Sequence, residues 1–155
     1  MRGKQAPKRK IKPDPKFNNV TIAKFINYIM DDGKKSVAQK IVYGAFDFIS
    51  KKTKQDPLDV FDAAIKNVGP NIEVKGRRIG GANYQVPVVV SGSRKTQLAF
   101  RWIIGASKGK KGKPMHLKLA EELMDAANGE GEAMKKKQDV HKMAEANKAF
   151  AHFAR

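Results

Sequence analysis

The sequence of 155 residues contains no cysteine, so disulfide bonds and thiolate metal sites are excluded. No run approaches the ~18 consecutive apolar residues of a membrane-spanning helix, and we expect no secretory signal, because the N-terminus lacks an apolar segment. Acidic residues are few: 15 Asp and Glu stand against 32 Lys and Arg, a formal net charge of +17. Such an excess is costly for a small compact chain and is typical of proteins that bind nucleic acid.

The sequence also lacks groups that catalysis would need close together. Its three histidines are His116, His141 and His152, and the last two lie ~16 Å apart along one predicted helix. No nucleophile, base and orienting group occur together. The Gly/Lys segment Ser107 to Lys113 is not a P-loop, because a helix precedes it and no Ser or Thr follows its lysines. We therefore expect no enzyme activity, no cofactor and no metal site.

Helical periodicity dominates the chain and predicts about six helices. The first helix should end at Asp32, because Gly33 is a good C-terminal stop. Ser36 with Gln39 forms the pattern of a capping box, and the second helix should bury Val37. The predicted starts, in chain order, are Val20, Ser36, Asp56, Ser93, Pro114 and a position after Gly129.

The segment Ile72–Val90 is the only convincing β segment. Two runs of alternating apolar residues flank the turn Gly80-Gly81-Ala82-Asn83, which predicts a β-hairpin between the third and fourth helices. Pairing Arg78 with Tyr84 places the apolar residues on one face and Lys75 on the other. Strands of ~7 or 8 residues reach ~25 Å, so the hairpin can protrude as a basic ribbon. The alternative is a hairpin lying flat on the core.

The predicted fold is a single, mainly α-helical domain over residues 1–155, with a protruding two-stranded β-hairpin at residues 72–90. Residues 1–17 form a basic arm, which we expect to be extended or disordered when free and to become ordered on binding phosphate. We predict RNA phosphate contacts from the arm, the ribbon, the loops and one helix face. The predicted RNA-binding residues are Arg2, Lys4, Arg9, Lys10, Lys34, Lys35, Lys75, Arg77, Arg78, Arg94, Arg101, Lys108, Lys110, Lys111, Lys113, Lys135, Lys136 and Lys137.

Two other classes of protein share some of these features. An architectural DNA-binding protein also combines helices with cationic β-arms, but such arms often carry an apolar or proline wedge near the tip. Here the tip is Gly80-Gly81-Ala82-Asn83, and Pro87 lies inside a strand. A membrane-surface protein is expected to have an amphipathic helix with a basic polar face, whereas these basic residues collect in loops, arm and ribbon. Competition between duplex DNA and RNA distinguishes a DNA-binding protein from an RNA-binding one. Vesicle co-sedimentation tests for a membrane-surface protein.

Several motifs occur in order over essentially the whole chain. They are P-D-P-K-F at 13–17, D-G-K-K-S at 32–36, V-K-G-R-R-I-G-G-A-N-Y-Q-V-P-V at 74–88, R-W-I at 101–103, L-M-D-A-A at 123–127 and H-K-M-A-E-A-N-K-A-F-A-H at 141–152. With these motifs the chain resembles the bacterial-type family of small-subunit ribosomal protein number seven. It departs from that family at the exit from the hairpin, Val88-Val89-Val90-Ser91-Gly92, and at its C-terminal Phe153-Ala154-Arg155.

The resemblance implies a body of six helices with a protruding β-ribbon. It implies direct binding to the 3′ major domain of small-subunit ribosomal RNA, which nucleates assembly of the subunit's head. The implied location is the subunit interface, near the exit-site transfer RNA and the messenger RNA path. Small-subunit proteins nine and eleven are the implied neighbours. We expect a cytoplasmic ribosomal protein (or an organellar one), with no membrane contact and no homo-oligomer.

Overall fold

The computed structural model describes residues 3, 6–7 and 9–154. Over these residues the chain is mainly helical, with one antiparallel hairpin between the third and fourth helices, which confirms the predicted fold class. The chain divides into two compact units, residues 1–39 and 40–155. The elements are α1 (Val20–Ile29), α2 (Lys35–Thr53), α3 (Pro57–Val68), β1 (Ile72–Ile79), β2 (Ala82–Val89), α4 (Gly92–Gly109), α5 (Met115–Ala127), α6 (Glu132–Ala146) and a C-terminal 3₁₀ helix (Lys148–Ala154).

In the first unit, the basic arm ends in a turn built around Asp14. This carboxylate is buried and accepts hydrogen bonds from the backbone N–H groups of Lys16, at 3.1 Å, and Phe17, at 3.2 Å. The preceding residues that the structure describes form neither helix nor strand, and residues 9–12 are exposed. A buried, hydrogen-bonded anchor therefore separates the exposed arm from α1.

The boundary between α1 and α2 differs from the prediction. The first helix ends at Ile29, and the chain then turns through Asp32 and Gly33, whose φ angles are +53° and +72°. A left-handed backbone cannot continue a right-handed helix, so Asp32 lies outside α1. The second helix begins at Lys35, which places Ser36 within its first turn and not at its N-cap. The predicted burial of Val37 is also wrong, because it is 51% exposed while Ala38 is buried.

In the second unit, three buried phenylalanines connect α2, α3 and α4. The ring of Phe61 meets that of Phe46 edge-on, with centroids 5.5 Å apart, and stacks with that of Phe100 at 6.4 Å. Such pairs add about 0.5–1.5 kcal/mol to the stabilisation from burying the rings. Helix α3 begins as predicted: Asp56 accepts a hydrogen bond from the Leu58 backbone N–H at 2.8 Å, with proline at the first helical position.

The hairpin register is shifted by one residue from the prediction. Tyr84 pairs with Arg77 instead of Arg78, and Gly80 and Gly81 form a two-residue turn. Both glycines have positive φ, +57° and +89°, as a type I′ hairpin turn requires. Because side chains alternate along a strand, the shift puts Lys75 on the same face as Tyr84. The predicted separation of basic and apolar faces is therefore wrong.

The hairpin packs on α6 and on the C-terminal 3₁₀ helix. Val86 is completely buried there. The Tyr84 ring packs between those of Phe150, at 5.2 Å, and Phe153, at 5.4 Å. A hairpin alone is marginally stable in water, so these contacts, which extend along one face as far as Tyr84, hold the ribbon while its turn stays exposed.

Candidate nucleic-acid interface

The first strand of the hairpin carries three exposed cations, Lys75, Arg77 and Arg78. They lie on one strand, and alternation directs Arg78 to the face opposite the other two. The turn consists of Gly80 and Gly81, which have no side chains, so it leaves the approach to these cations open. The ribbon therefore presents positive charge on both of its faces.

A buried carboxylate, Glu73, connects the ribbon to α4. Its Oε1 lies 3.1 Å from Lys75 Nζ, and its Oε2 accepts hydrogen bonds from Arg94 Nε, at 3.2 Å, and Nη2, at 3.0 Å. Burial alone would raise the pKa of Glu73, but the contacts with Arg94 and Lys75 outweigh it and lower the pKa. One anion thus fixes two cations, and the group keeps a net positive charge. We did not identify Glu73 from the sequence, although it is the one acid in a basic strand.

Helix α4 continues this cationic surface away from the hairpin. Arg94, Arg101 and Lys108 recur at seven-residue spacing, which brings them to one side of the helix. Arg94 is partly covered because it reaches Glu73, whereas Arg101 and Lys108 are exposed. The Glu73 contacts therefore link cations of the ribbon to those of the helix. We call the whole set the ribbon–α4 surface: Lys75, Arg77, Arg78, Arg94, Arg101 and Lys108.

Arg77 also binds the C-terminal 3₁₀ helix. Its Nη1 donates a hydrogen bond to the backbone carbonyl oxygen of Phe153 at 2.9 Å. The same helix provides the aromatic rings on which Tyr84 packs. This arginine therefore holds a contact within the fold in addition to its predicted contact with RNA.

In the loop after α4, the predicted RNA-binding lysines have different environments. Lys110 Nζ lies 2.8 Å from the wholly buried Glu122 and 3.3 Å from Asp125. Burial alone would lower the pKa of Lys110, but these two ion pairs raise it. Lys113 pairs with Glu121 and lowers the pKa of that carboxyl. Lys111 is exposed.

Glu122 also organises the start of α6, since its Oε1 accepts a hydrogen bond from the backbone N–H of Ala133 at 2.9 Å. A Cβ on Gly131 would meet the same oxygen at 2.9 Å, and its φ of +93° disfavours any other residue. Lys110 and Glu122 thus join the end of α4 to the beginning of α6. The loop is anchored at Lys110, and its exposed cations extend from that anchor.

The three consecutive lysines of α6 also differ from one another. Lys135 is exposed and pairs with Glu132 at 2.6 Å, a hydrogen bond that raises its pKa. Lys136 is exposed, and Lys137 is partly buried and donates to the backbone oxygen of Asn67. The prediction treated these lysines as one group because a sequence run does not reveal the direction of each side chain.

In the first unit, Arg9 and Lys35 line one groove beside Asp14. Lys10 is exposed, and Lys34 Nζ lies 3.9 Å from Asp32 in an exposed pair, which stabilises the fold little. The predicted residues Arg2 and Lys4 lie outside the described residues.

Other kinds of site find little support in residues 3, 6–7 and 9–154. No three His, Asp or Glu side chains of this part of the chain converge as metal ligands would. No helix in the same residues has the length and apolarity needed to cross a membrane.

Comparisons with a family model and with individual known proteins indicate the same family. The model of ribosomal protein S7p/S5e matches residues 1–148. The small ribosomal subunit protein uS7 of Thermotoga maritima is 60% identical over 153 residues, which cover 99% of each chain. The uS7 protein of Cupriavidus metallidurans is 60% identical over 152 residues, covering 98% of this chain and 97% of that protein. That of Polynucleobacter asymbioticus is 59% identical with the same coverage.

Proposed function

The chain belongs to the family of ribosomal protein S7p/S5e, and on this basis we propose that it binds the 3′ major domain of small-subunit ribosomal RNA. Membership makes it a structural, non-enzymatic protein of the small ribosomal subunit. In this proposal its binding nucleates assembly of the subunit head. The bound protein lies at the subunit interface, near the exit-site transfer RNA and the messenger RNA path, with small-subunit proteins nine and eleven as neighbours.

The observation that carries the proposal is the ribbon–α4 surface. Glu73 holds Lys75 and Arg94 within about one hydrogen-bond length of a single carboxylate, so ribbon and helix present their cations together. Holding charged side chains in advance reduces the side-chain entropy lost on binding. Two cations held in this way, Lys75 and Arg94, suit a folded RNA whose phosphates also have fixed positions.

RNA phosphates, and not base edges, are the proposed targets of most of these cations. The deep, narrow groove of an A-form helix hides its base edges from side chains, so double-stranded RNA is recognised mainly by shape and backbone. Arginine offers a planar fork that matches phosphate oxygens, and lysine offers a point charge. Arg78 at the ribbon end and Arg101 on α4 are exposed donors of the first kind.

Filter binding of the full chain to a 3′ major domain fragment tests the proposal. If ~6–10 phosphates are neutralised, affinity falls by about three to five decades between about 50 and 200 mM salt, with a shallower fall for single-stranded contacts. Control ligands are an equally long fragment from another domain of the same RNA and a duplex DNA.

We expect a preference for the 3′ major domain that persists as salt increases, because phosphate geometry and not charge alone selects the site. Equal affinity for duplex DNA favours an architectural DNA-binding protein instead. Equal affinity for the unrelated RNA fragment overturns the proposed target, and a flat salt response overturns phosphate binding altogether.

A further inference from the structure

A polar notch lies where the end of α3, the start of α4 and the turn between α5 and α6 meet. Its volume is about 450 Å³, enough for a tetrahedral anion with some water. Three lysines line it, Lys66, Lys95 and Lys137, and none of its described lining residues is acidic. Lys66 and Lys95 are not among the cations predicted from the sequence, so the notch adds residues to the candidate interface.

The lysines of the notch differ from the paired lysines elsewhere in the fold. Lys137 donates to the backbone oxygen of Asn67, and Lys95 Nζ donates to Asn71 Oδ1 at 2.9 Å. Within the described part of the chain, neither ammonium group contacts a carboxylate. Lys110, by contrast, has two carboxylate partners. The notch therefore carries positive charge that the fold does not neutralise.

The positive charges of Lys95 and Lys137 also repel each other. Burial lowers the pKa of Lys137, and the nearby charge of Lys95 lowers it further. Like charges brought together in a partly desolvated place destabilise the free protein. An anion bound between them would reverse that effect, because each ammonium would then face an opposite charge.

The surrounding backbone holds both lysines in place. Asn67 donates through its side-chain amide to the carbonyl oxygens of Ala126, at 3.1 Å, and Ala127, at 2.8 Å, which fixes the carbonyl that Lys137 binds. The stem of Lys95 lies over Gly69, where an added Cβ would come within 2.8 Å of Lys95 Cγ. Glycine at this position lets the lysine cross the end of α3 and reach the notch.

We propose that Lys66, Lys95 and Lys137 bind one backbone phosphate of the ribosomal RNA. The inference rests on the proposed function, since it names a further contact of the same interaction. A phosphate suits the notch because its oxygens accept charge-assisted hydrogen bonds from several ammonium groups at once. Lys95 and Lys137 act on the same anion, and Lys66 contributes at the rim.

The test uses the full chain with Lys95→Gln, Lys137→Gln and the double variant, each titrated with the 3′ major domain fragment at several salt concentrations. Lys142→Gln is the matched control, because it removes the same charge from an exposed position on α6. We expect each single variant to bind about tenfold more weakly than the control. The double variant should reduce the magnitude of the salt slope by about one, as the loss of one phosphate contact does.

A second readout is chemical protection of the lysine amines. Acetylation by a soluble active ester, followed by mass spectrometry, should show Lys95 and Lys137 protected in the RNA complex and Lys142 still reactive. Thermal unfolding of each variant checks the fold. If Lys137→Gln unfolds, Lys137→Arg keeps both the donor and the charge, and Lys95→Gln still tests the notch.

The outcomes separate the two proposals. A wild-type chain without preference for the 3′ major domain overturns the proposed function. A wild-type chain that prefers it, while the notch variants bind like Lys142→Gln, overturns only the notch. A slope change of about two in the double variant means two separate phosphates, which overturns the shared site. Protection of the notch lysines by an acidic protein but not by RNA assigns the site to a protein partner and overturns the inference.

Discussion

At the scale of single residues, the described cations of this protein differ in their environments. Some cations stand against a carboxylate that the fold supplies, as Lys110 does against Glu122. Others, such as Lys111 and Arg101, are exposed. Removing a cation of the first kind leaves a carboxylate without its partner, whereas removing an exposed one changes mainly the charge offered to a ligand.

The neighbours Lys110 and Lys111 allow this difference to be measured. Lys110→Met should lower the free energy of unfolding by roughly 1–3 kcal/mol, because the buried Glu122 loses its ion-pair partner. Lys111→Met should change it by less than about 0.5 kcal/mol and should weaken RNA binding instead. Urea denaturation and filter binding give the two quantities.

A double variant provides the control. Adding Glu122→Gln to Lys110→Met removes the unpaired charge while keeping an oxygen for the Ala133 backbone N–H, so part of the lost stability should return. If Lys110→Met and Lys111→Met prove equally stable, the ion pair does not support the fold in solution.

Glu73 gives a pH-dependent prediction. Its pKa is lower in the folded chain, so the ionised carboxylate stabilises the fold above the ordinary glutamate pKa of about 4.3. That stabilisation is lost as the pH falls through the lowered pKa. At pH 7, Glu73→Gln should therefore be less stable than wild type by about 1–2 kcal/mol. Unfolding measured in urea from pH 7 to pH 3 should show the difference shrinking, and a difference independent of pH would contradict the assignment.

At the scale of elements, local chemistry predicted the helices better than the strands. Asp56 and Pro57 start α3 as expected, because a capping carboxylate and a proline act on neighbouring backbone groups. Ser36 failed as a cap because the left-handed residues Asp32 and Gly33 end the turn earlier and let the helix begin at Lys35. A capping pattern competes with the turn before it, and the pattern alone does not show which prevails.

The strand register was harder to predict because both faces of β2 carry valines. Val86 and Val88 lie on one face and Val89 on the other, so hydrophobic alternation did not select a pairing. The two-residue turn selects it, through the positive φ of Gly80 and Gly81. The turn geometry, and not the strand pattern, was the signal that decided the register.

The ribbon arginines test the corrected register. Arg77→Ala and Arg78→Ala should each reduce the magnitude of the RNA salt slope by about one, with stability changed by less than about 0.5 kcal/mol. Only Arg77→Ala removes the hydrogen bond to Phe153, so only this variant should speed amide hydrogen exchange in the C-terminal 3₁₀ helix. Equal exchange in both variants would show that the bond does not hold that helix.

At the scale of the whole molecule, the sequence predicted the kind of ligand but not how the cations are arranged. Net charge and the family motifs required no tertiary information. Identifying the carboxylate partners of the cations does require tertiary information. Glu73 lies 21 residues from Arg94, and Glu122 lies 12 residues from Lys110, so no helical or strand period relates them. Lys66 and Lys95 of the notch were missed for the same reason, because three segments contribute to one site.

Deletion of residues 1–12 tests whether the cations of the arm contribute to RNA binding without contributing to the stability of the fold. It removes Arg9, Lys10 and the other arm cations but keeps the Asp14 turn, with its hydrogen bonds to Lys16 and Phe17. Residues 9–12 are exposed, so the melting temperature should stay within about 2 °C of wild type, corresponding to less than about 0.5 kcal/mol. Affinity for the 3′ major domain fragment and its salt slope should both fall. A large loss of melting temperature would show that the arm is part of the folded body.

The two-glycine turn makes the effect of a change in hairpin length depend on whether an odd or an even number of residues is added. One extra residue between Ile79 and Ala82, if the pairing slips to absorb it, moves every side chain of β2 to the opposite side. Val86 would then leave the interior while Tyr84 lost its aromatic neighbours. Two extra residues restore the original sides and lengthen only the exposed end. Insertions and deletions that keep a two-residue turn are therefore expected to come in even numbers.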